Sequence, residues 1–282
     1  MIDLHSHSTF SDGSLTPEQL VCEAERARLS ALALTDHDSI SGLERFMASC
    51  SKTKSILRGV HGVEISVDCN PGDATMHILG YFIDPANAEL NEHINRLRDG
   101  RRHRNDEILK RLNAMGLMLT MNEISSFAGE NNVGRLHFAQ ALVMRGYVRT
   151  TQEAFDKYLA SGKSGYANRL RFKPLGGVDM IRKAGGVAVL AHPFTLNLGK
   201  QALADCVGEL AHGGLQGIEV YYPQHSPKMV RQYLDLAEQF HLVATGGTDF
   251  HGAPMPDIKL GRGFGGLNVP NAVLEQLDAL RS

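Results

Sequence analysis

Residues 2–12 read IDLHSHSTFSD. The first six of these residues read as a strand, and His5 and His7 share one face of it because side chains alternate along a strand. Asp12 follows in the loop. Two histidines on a buried strand cost free energy unless something binds them. The fold therefore turns on whether other strands deliver partners to the same place.

They do. ALALT (31–35), RGVHGVEIS (58–66), MHILGYF (76–82), GVAVLAHP (186–193), GIEVYY (217–222) and LVATGGTD (242–249) are short apolar runs that end in polar residues, making seven strands in all. Helical stretches lie between them. LTPEQLVCEAERARL (15–29) has Thr16 as its N-cap, Pro17 at the first helical position and Gln19 to complete a capping box. LERFMASC (43–50) and PKMVRQYLDLAEQF (227–240) are further examples. This alternation argues for a parallel α/β sheet or barrel. Residues 85–172 differ, because nearly all of them read helical: 91–116, a helix begun by a capping box at Thr120 and Glu123, then 134–148 and 151–162. The expectation is one barrel built from residues 1–84 and 173–282, with 85–172 as an all-helical insertion that caps the substrate site.

Composition narrows the function. The chain has 282 residues, 43% hydrophobic, with 29 Lys+Arg against 31 Asp+Glu, so bulk electrostatics do not favour a long nucleic-acid partner. No apolar run approaches the roughly 20 residues of a membrane span. Asp3 and His5 interrupt any apolar start, so no signal peptide is expected. Cys22, Cys50, Cys69 and Cys206 form no C-x-x-C pair and fit free thiols in a cytoplasmic protein. Thirteen histidines are the compositional oddity.

In a parallel barrel the active site lies where strands end. The strand ends carry His5 and His7; Thr35-Asp36-His37-Asp38; Glu64; His77; Ala191-His192-Pro193; Glu219; and Gly247-Thr248-Asp249-Phe250-His251. Crowded imidazoles and carboxylates would repel or lose solvation at a cost of several kcal/mol, and divalent cations remove that cost. Nine good ligands (His5, His7, Asp12, His37, Glu64, His77, His192, Asp249 and His251) are too many for one ion and fit two or three, with Glu64 the simplest bridge. Mixed His, Asp and Glu ligands suit manganese first, with zinc, iron or magnesium as alternatives.

These motifs, in this order, resemble the PHP (polymerase and histidinol phosphatase) family over almost the whole chain outside the insertion. The resemblance implies a distorted seven-stranded (β/α) barrel and a trinuclear metal site. His5, His7, Glu64 and Asp249 would hold one ion; Glu64, His77 and His192 a second; Asp12, His37 and His251 a third. The helical insertion and Gly134-Arg135-Leu136-His137-Phe138 resemble one branch of stand-alone bacterial phosphoesterases. Its members act on nucleoside 3',5'-bisphosphates and on the 5' ends of short oligoribonucleotides.

Metal-activated hydroxide attacking phosphorus in line then accounts for catalysis without a protein nucleophile. Asp36 is a supporting residue that orients a ligand histidine, and His192 is also a candidate acid for the leaving group. Arg135, Lys163, Asn168 and Arg171 are candidate anchors for a second phosphate, Arg135 first because it opens a helix, and Tyr222 is a candidate contact for the substrate. Arg101-Arg102-His103-Arg104 reads as a solvated helix face, Glu219 as a carboxylate lining the site, and Met115, Met118 and Met121 as core packing. The leading function is hydrolysis of the 3'-phosphate of a nucleoside 3',5'-bisphosphate. The alternatives are a 5'-to-3' exoribonuclease on short oligomers and a histidinol-phosphate phosphatase. A nucleic-acid-binding module is opposed by the balanced charge, and a C–N hydrolase by the motif order. The sequence fixes no oligomeric state.

Overall fold

The computed structural model of the chain describes residues 1–53, 56–68, 76–128 and 133–281. Seven strands follow one another in a single sheet: β1 (Ile2–Asp3), β2 (Ala31–Leu34), β3 (Arg58–Val67), β4 (Met76–Tyr81), β5 (Val187–Leu190), β6 (Gly217–Tyr221) and β7 (Val243–Gly246). The sheet curls into a nearly closed barrel. Its seam is held by Leu4 N–H donating to Gly246 O (3.3 Å), His7 N–H donating to Phe250 O (2.9 Å) and a parallel bridge between Ser6 and Phe250.

Two features depart from the simple parallel expectation. β4 runs antiparallel to both β3 and β5. The connection from β3 is too short for a helical crossover, which takes a dozen or more residues, so β4 must return as a hairpin partner. Its first residues, not its last, therefore reach the rim, and His77 pairs with Ser66 there. The first strand also stops at Asp3, before the histidines. Thr35 and Asp36 side chains take the Ser6 and Ser8 amides at 3.1 and 2.8 Å, replacing the bonds a neighbouring strand would make.

Alternation along β2 separates two cores. Ala31 and Ala33 face the barrel interior with Leu4, Val60, Tyr81 and Val189. Leu32 and Leu34 face outward, against a layer that includes α1 (Pro17–Arg26), α2 (Leu43–Cys50), α7 (Pro174–Lys183), α8 (Lys200–His212) and α9 (Pro227–Gln239). Val273 and Leu277 of α10 (Ala272–Ala279) join the inner core. Both expected capping boxes are present, at Thr16 with Gln19 and at Thr120 with Glu123.

Between β4 and β5 lie α3 (Ala88–Ala114), α4 (Met121–Ser125), α5 (Arg135–Met144) and α6 (Thr151–Ala154), the last running into a π-helical turn at Phe155–Leu159. With 27 residues α3 is about 40 Å long. It starts beside α7, where Lys183 meets Glu89 at 3.2 Å, and runs to the barrel mouth. The inserted helices have their own core of Ile108, Leu112, Ile124, Phe138 and Leu142. Met121 packs against it, but Met115 and Met118 are exposed, contrary to the core expectation. No disulfide joins Cys22, Cys50 and Cys206, and Cys69 lies outside the described residues. No described helix is long and apolar enough to cross a membrane.

The seam leaves no room at Gly247, where an added Cβ would stand 2.4 Å from the backbone nitrogen and Cβ of His5. Gly247→Ala is expected to lower the urea unfolding free energy by about 1–3 kcal/mol. Gly266→Ala, which meets nothing within 4 Å, serves as the neutral control in the same titration.

Candidate metal centre

Glu64, fully buried near the end of β3, is the hub of the barrel mouth. Its Oε2 lies 2.8 Å from His37 Nδ1, 3.3 Å from His7 Nε2 and 3.4 Å from His5 Nε2. Its Oε1 lies 2.8 Å from His77 Nδ1 and 3.0 Å from His192 Nε2. Asp249 Oδ1 stands 3.0 Å from His7 Nε2 and 3.3 Å from His5 Nε2, and Asp12 Oδ1 stands 3.2 Å from His251 Nε2. All nine residues expected from the sequence thus converge on one rim. Their donor atoms fall into three compact sets: His5, His7, Glu64 and Asp249; His7, Asp12, His37 and His251; and His37, Glu64 and His77. His192 stands beside the last set, with Nε2 3.4 Å from His77 Nδ1.

For four of the six rings, outer partners fix which nitrogen carries the proton. His5 Nδ1–H donates to Glu219 Oε1 at 3.0 Å. Ser11 donates its only hydroxyl proton to Asp36 (2.5 Å) and so accepts from His7 Nδ1–H at 3.3 Å. Thr195 donates to the His192 carbonyl and accepts from His192 Nδ1–H at 3.1 Å. His251 Nδ1–H donates to Asp249 O at 2.8 Å. Each arrangement turns an Nε2 lone pair toward carboxylate oxygens. Such facing lone pairs are stable only around a shared cation or with added protons. With protons alone, burial lowers the His7 pKa, but Asp249 and Glu64 outweigh it and raise it to about 10. Glu64 is held well below the usual carboxylate range by His37, His77 and His5 in spite of its burial. His5 Nε2, His7 Nε2, Asp12 Oδ1, Glu64 Oε2 and Asp249 Oδ1 are buried and make no aligned hydrogen bond. The donor set therefore fits divalent metal ions.

The support expected from the sequence is Asp36, and the hydroxyls of Ser11 and Thr195 are further supports that no sequence motif marks. Asp36 reaches His7 through Ser11 and also binds Ser8 N–H and Oγ–H at 2.8 and 2.7 Å. Glu219 binds both His5 and the His192 amide, the latter at 2.7 Å. Tyr222, expected at the substrate, is buried and donates to Asp249 Oδ2 at 2.8 Å instead.

A cleft of about 240 Å³ joins this cluster to the insertion. Asp12, His37 and His77 line one side; Arg101, Arg104, Arg135, Arg169 and Arg171 line the other. Arg135 opens α5 as expected, and its guanidinium sits over the rings of Tyr166 (5.4 Å) and Phe155 (5.9 Å). Arg171 also lines the cleft, whereas Lys163 and Asn168 are exposed and do not. The solvated reading of Arg101-Arg102-His103-Arg104 holds for Arg102 and His103, which are exposed, and needs correction at Arg101 and Arg104. Arg101 donates to Asp38 Oδ2 at 2.6 Å, joined there by Arg169 at 3.1 Å, and Arg104 is 7% exposed. Burial would raise the Asp38 pKa, but Arg169 and Arg101 hold it at about 2. No carboxylate among the described residues pairs with Arg104. Burial, then repulsion from Arg101, Arg169, Arg135 and Arg171, pulls it down to about 8.

The profile of the PHP domain matches residues 3–248. The 5'-3' exoribonuclease Rnm of Escherichia coli is 37% identical over 92% of this chain and 88% of its own. The 3',5'-nucleoside bisphosphate phosphatase of Chromobacterium violaceum is 35% identical over 89% of this chain and 87% of its own. Among solved structures, one from Chromobacterium violaceum described as an amidohydrolase, with bound sulfate and no metal, superposes with a TM-score of 0.85. It is 32% identical, over 99% of this chain and 96% of that one. One from Bifidobacterium adolescentis, described as a candidate metal-dependent phosphoesterase, gives 0.84 at 26% identity, over 100% of this chain and 96% of that one.

Glu219 offers a test of the outer partners. Glu219→Gln cannot accept from both His5 and the His192 amide without turning its own NH2 toward one of them. The variant is expected to keep its circular dichroism spectrum and to bind manganese about 10- to 100-fold more weakly. Equal manganese affinity in a competition titration with a metal-sensitive dye would contradict this.

Proposed function

The chain belongs to the PHP family, and on that premise we propose that this metal-dependent phosphoesterase removes the 3'-phosphate from nucleoside 3',5'-bisphosphates. One observation carries the reading: a single cleft is lined by a cluster of metal-ligand type on one side and by five arginines on the other. A substrate with two separate phosphates satisfies both sides at once. A monophosphate satisfies only one.

In this reading His5, His7, Glu64 and Asp249 hold one ion, Glu64, His77 and His192 a second, and Asp12, His37 and His251 a third. Bound divalent ions would neutralise phosphoryl oxygens, activate water at neutral pH and steady the departing oxygen. The protein's part is positional. Asp36 through Ser11, Glu219, Thr195 and the Asp249 carbonyl fix the ring orientations of His7, His5, His192 and His251. Arg135, Arg171 and Arg104 receive the second phosphate, since guanidinium groups bind phosphate through paired hydrogen bonds. Asp38 keeps Arg101 and Arg169 aimed at the same space. The related exoribonuclease points to a second use of the same geometry, in which the two anchored phosphates are the 5'-phosphate and first internal linkage of a short oligoribonucleotide. Manganese as the resident metal and a cytoplasmic setting complete the proposal.

Steady-state hydrolysis of adenosine 3',5'-bisphosphate, compared with the 3'- and 5'-monophosphates, tests this. The bisphosphate is expected to lead in kcat/KM, and activity is expected to vanish on chelation and return with manganese. Equal rates on the monophosphates would remove the two-anchor reading. Arg135→Ala is expected to raise KM roughly 10- to 100-fold with a smaller change in kcat, the size of a lost charged hydrogen bond of about 1.5–3 kcal/mol. Arg104→Met is expected to weaken substrate binding while raising the melting temperature of the substrate-free protein, because it removes a buried charge with no acidic partner. Differential scanning calorimetry beside the kinetics separates the two effects.

A further inference from the structure

A second cavity, also of about 240 Å³, adjoins the arginine cleft and shares Asp12 and Leu136 with it. The barrel loop contributes Thr9, and the insertion contributes Phe127, His137 and Gln140. It lies below the ~300 Å³ of ordinary small-molecule pockets, a size for one ring system rather than a whole nucleotide.

Part of the hydrogen-bonding capacity of its lining is unspent. Thr9 Oγ1 and Gln140 Oε1 are buried without a hydrogen-bond partner. His137 Nδ1 accepts the Gly134 amide at 3.0 Å, so the ring proton sits on Nε2 and that atom is a donor. Buried polar atoms are normally satisfied, and unsatisfied ones need an explanation. Phe127 is an aromatic wall, and Leu136 is 39% exposed although large and apolar. An apolar wall edged by donors and acceptors suits a flat heteroaromatic ring that stacks with its face and bonds with its edge.

We propose that this cavity is the nucleobase subsite, with Gln140 and Thr9 reading the base edge and Phe127 covering its face. The inference rests on the nucleotide reading of the neighbouring cleft: phosphates occupy the arginine and metal sides, and the base turns past Asp12 and Leu136 into the second cavity. A glutamine offers one donor and one acceptor in one plane, the pattern that distinguishes one base from another.

The test compares kcat/KM of the manganese-loaded enzyme on the four nucleoside 3',5'-bisphosphates and on baseless 1-deoxyribose 3,5-bisphosphate. The wild type is expected to favour at least one base-bearing substrate over the baseless one by about tenfold or more, the scale of one stacked and hydrogen-bonded base. Gln140→Leu is expected to shrink the spread among the four bases, and Phe127→Ala to shrink the ratio of base-bearing to baseless. A wild type that treats the baseless compound as well as every nucleotide, or variants whose losses are shared equally by it, would mean a water-filled cavity and overturn the proposal. If the wild type cleaves no bisphosphate, the functional reading fails separately. The subsite is then decided by calorimetric binding of adenosine, guanosine, cytidine and uridine 5'-monophosphates against ribose 5-phosphate, where equal affinities overturn it and a base-dependent difference lost in Gln140→Leu supports it.

Discussion

Five imidazole nitrogens lie within 3.4 Å of the one buried carboxylate of Glu64. Every other feature of the barrel mouth accommodates that crowding. Water does not reach the group, so neither solvation nor counter-ions from bulk can offset its charge, and each buried ion left alone would cost several kcal/mol. A set of neutral rings with lone pairs turned inward is stable only with cations at the focus. The sheet supplies these rings from strand ends that are far apart in sequence and adjacent in the barrel. Backbone bonds across the seam then bring His5 and His7 against Asp249.

The opposite charge is concentrated a short distance away. Five guanidinium groups line the insertion side of the same cleft, and Asp38 is the carboxylate that two of them share. The reversal of β4 makes this possible. Because β4 enters at the rim and leaves at the far end, the next helix must climb the length of the barrel to return. In doing so α3 delivers Arg101 and Arg104 opposite the histidines. The chain comes back down beside β3, where the Asp68 amide donates to Phe172 O at 2.7 Å, and on the way places Arg169 and Arg171.

Most of the strand-end residues were legible in the sequence because they are polar residues closing a short apolar run, a pattern that survives small errors in strand boundaries. His77 instead opens its run, because β4 is reversed. The arginines were harder. Along α3 the buried positions Leu90, Ile94, Leu97, Arg104, Ile108 and Leu112 recur at helical spacing, and Arg101 falls at the gap between Leu97 and Arg104. The apolar stripe therefore continues through two arginines, and that periodicity marks them as inward-facing although a run of charge reads as solvated. Lys163 and Asn168 misled in the other direction. They neighbour Arg169 and Arg171 in sequence, but no regular element spans 160–171, so closeness along the chain does not imply a common side. Asp36 was read as the support of a ligand histidine, but that it serves His7, and through Ser11, had no sequence signature beyond the presence of small hydroxyl residues.

Positive-φ residues occur elsewhere in the chain, as at Arg28, Phe82 and His241, but three of them stand at this rim. Asp38, His192 and Asp249 have positive φ values of 50°, 23° and 53° although none is glycine. Such conformations cost about 1–3 kcal/mol each and persist where surrounding bonds over-determine them. The Asp38 amide is tied to Glu64 O at 2.8 Å and its carboxylate to Ser66 N–H at 2.8 Å. The His192 amide is tied to Glu219, and the Asp249 carboxylate to Tyr222. An unstrained extended backbone at 36–38 would put Asp36 and Asp38 on one face. The left-handed turn at Asp38 instead lets consecutive residues serve three systems: Asp36 supports His7, His37 faces Glu64, and Asp38 holds the arginines. The strain is thus the cost of having three consecutive residues of one loop serve the histidine and carboxylate cluster on one side and the arginines on the other.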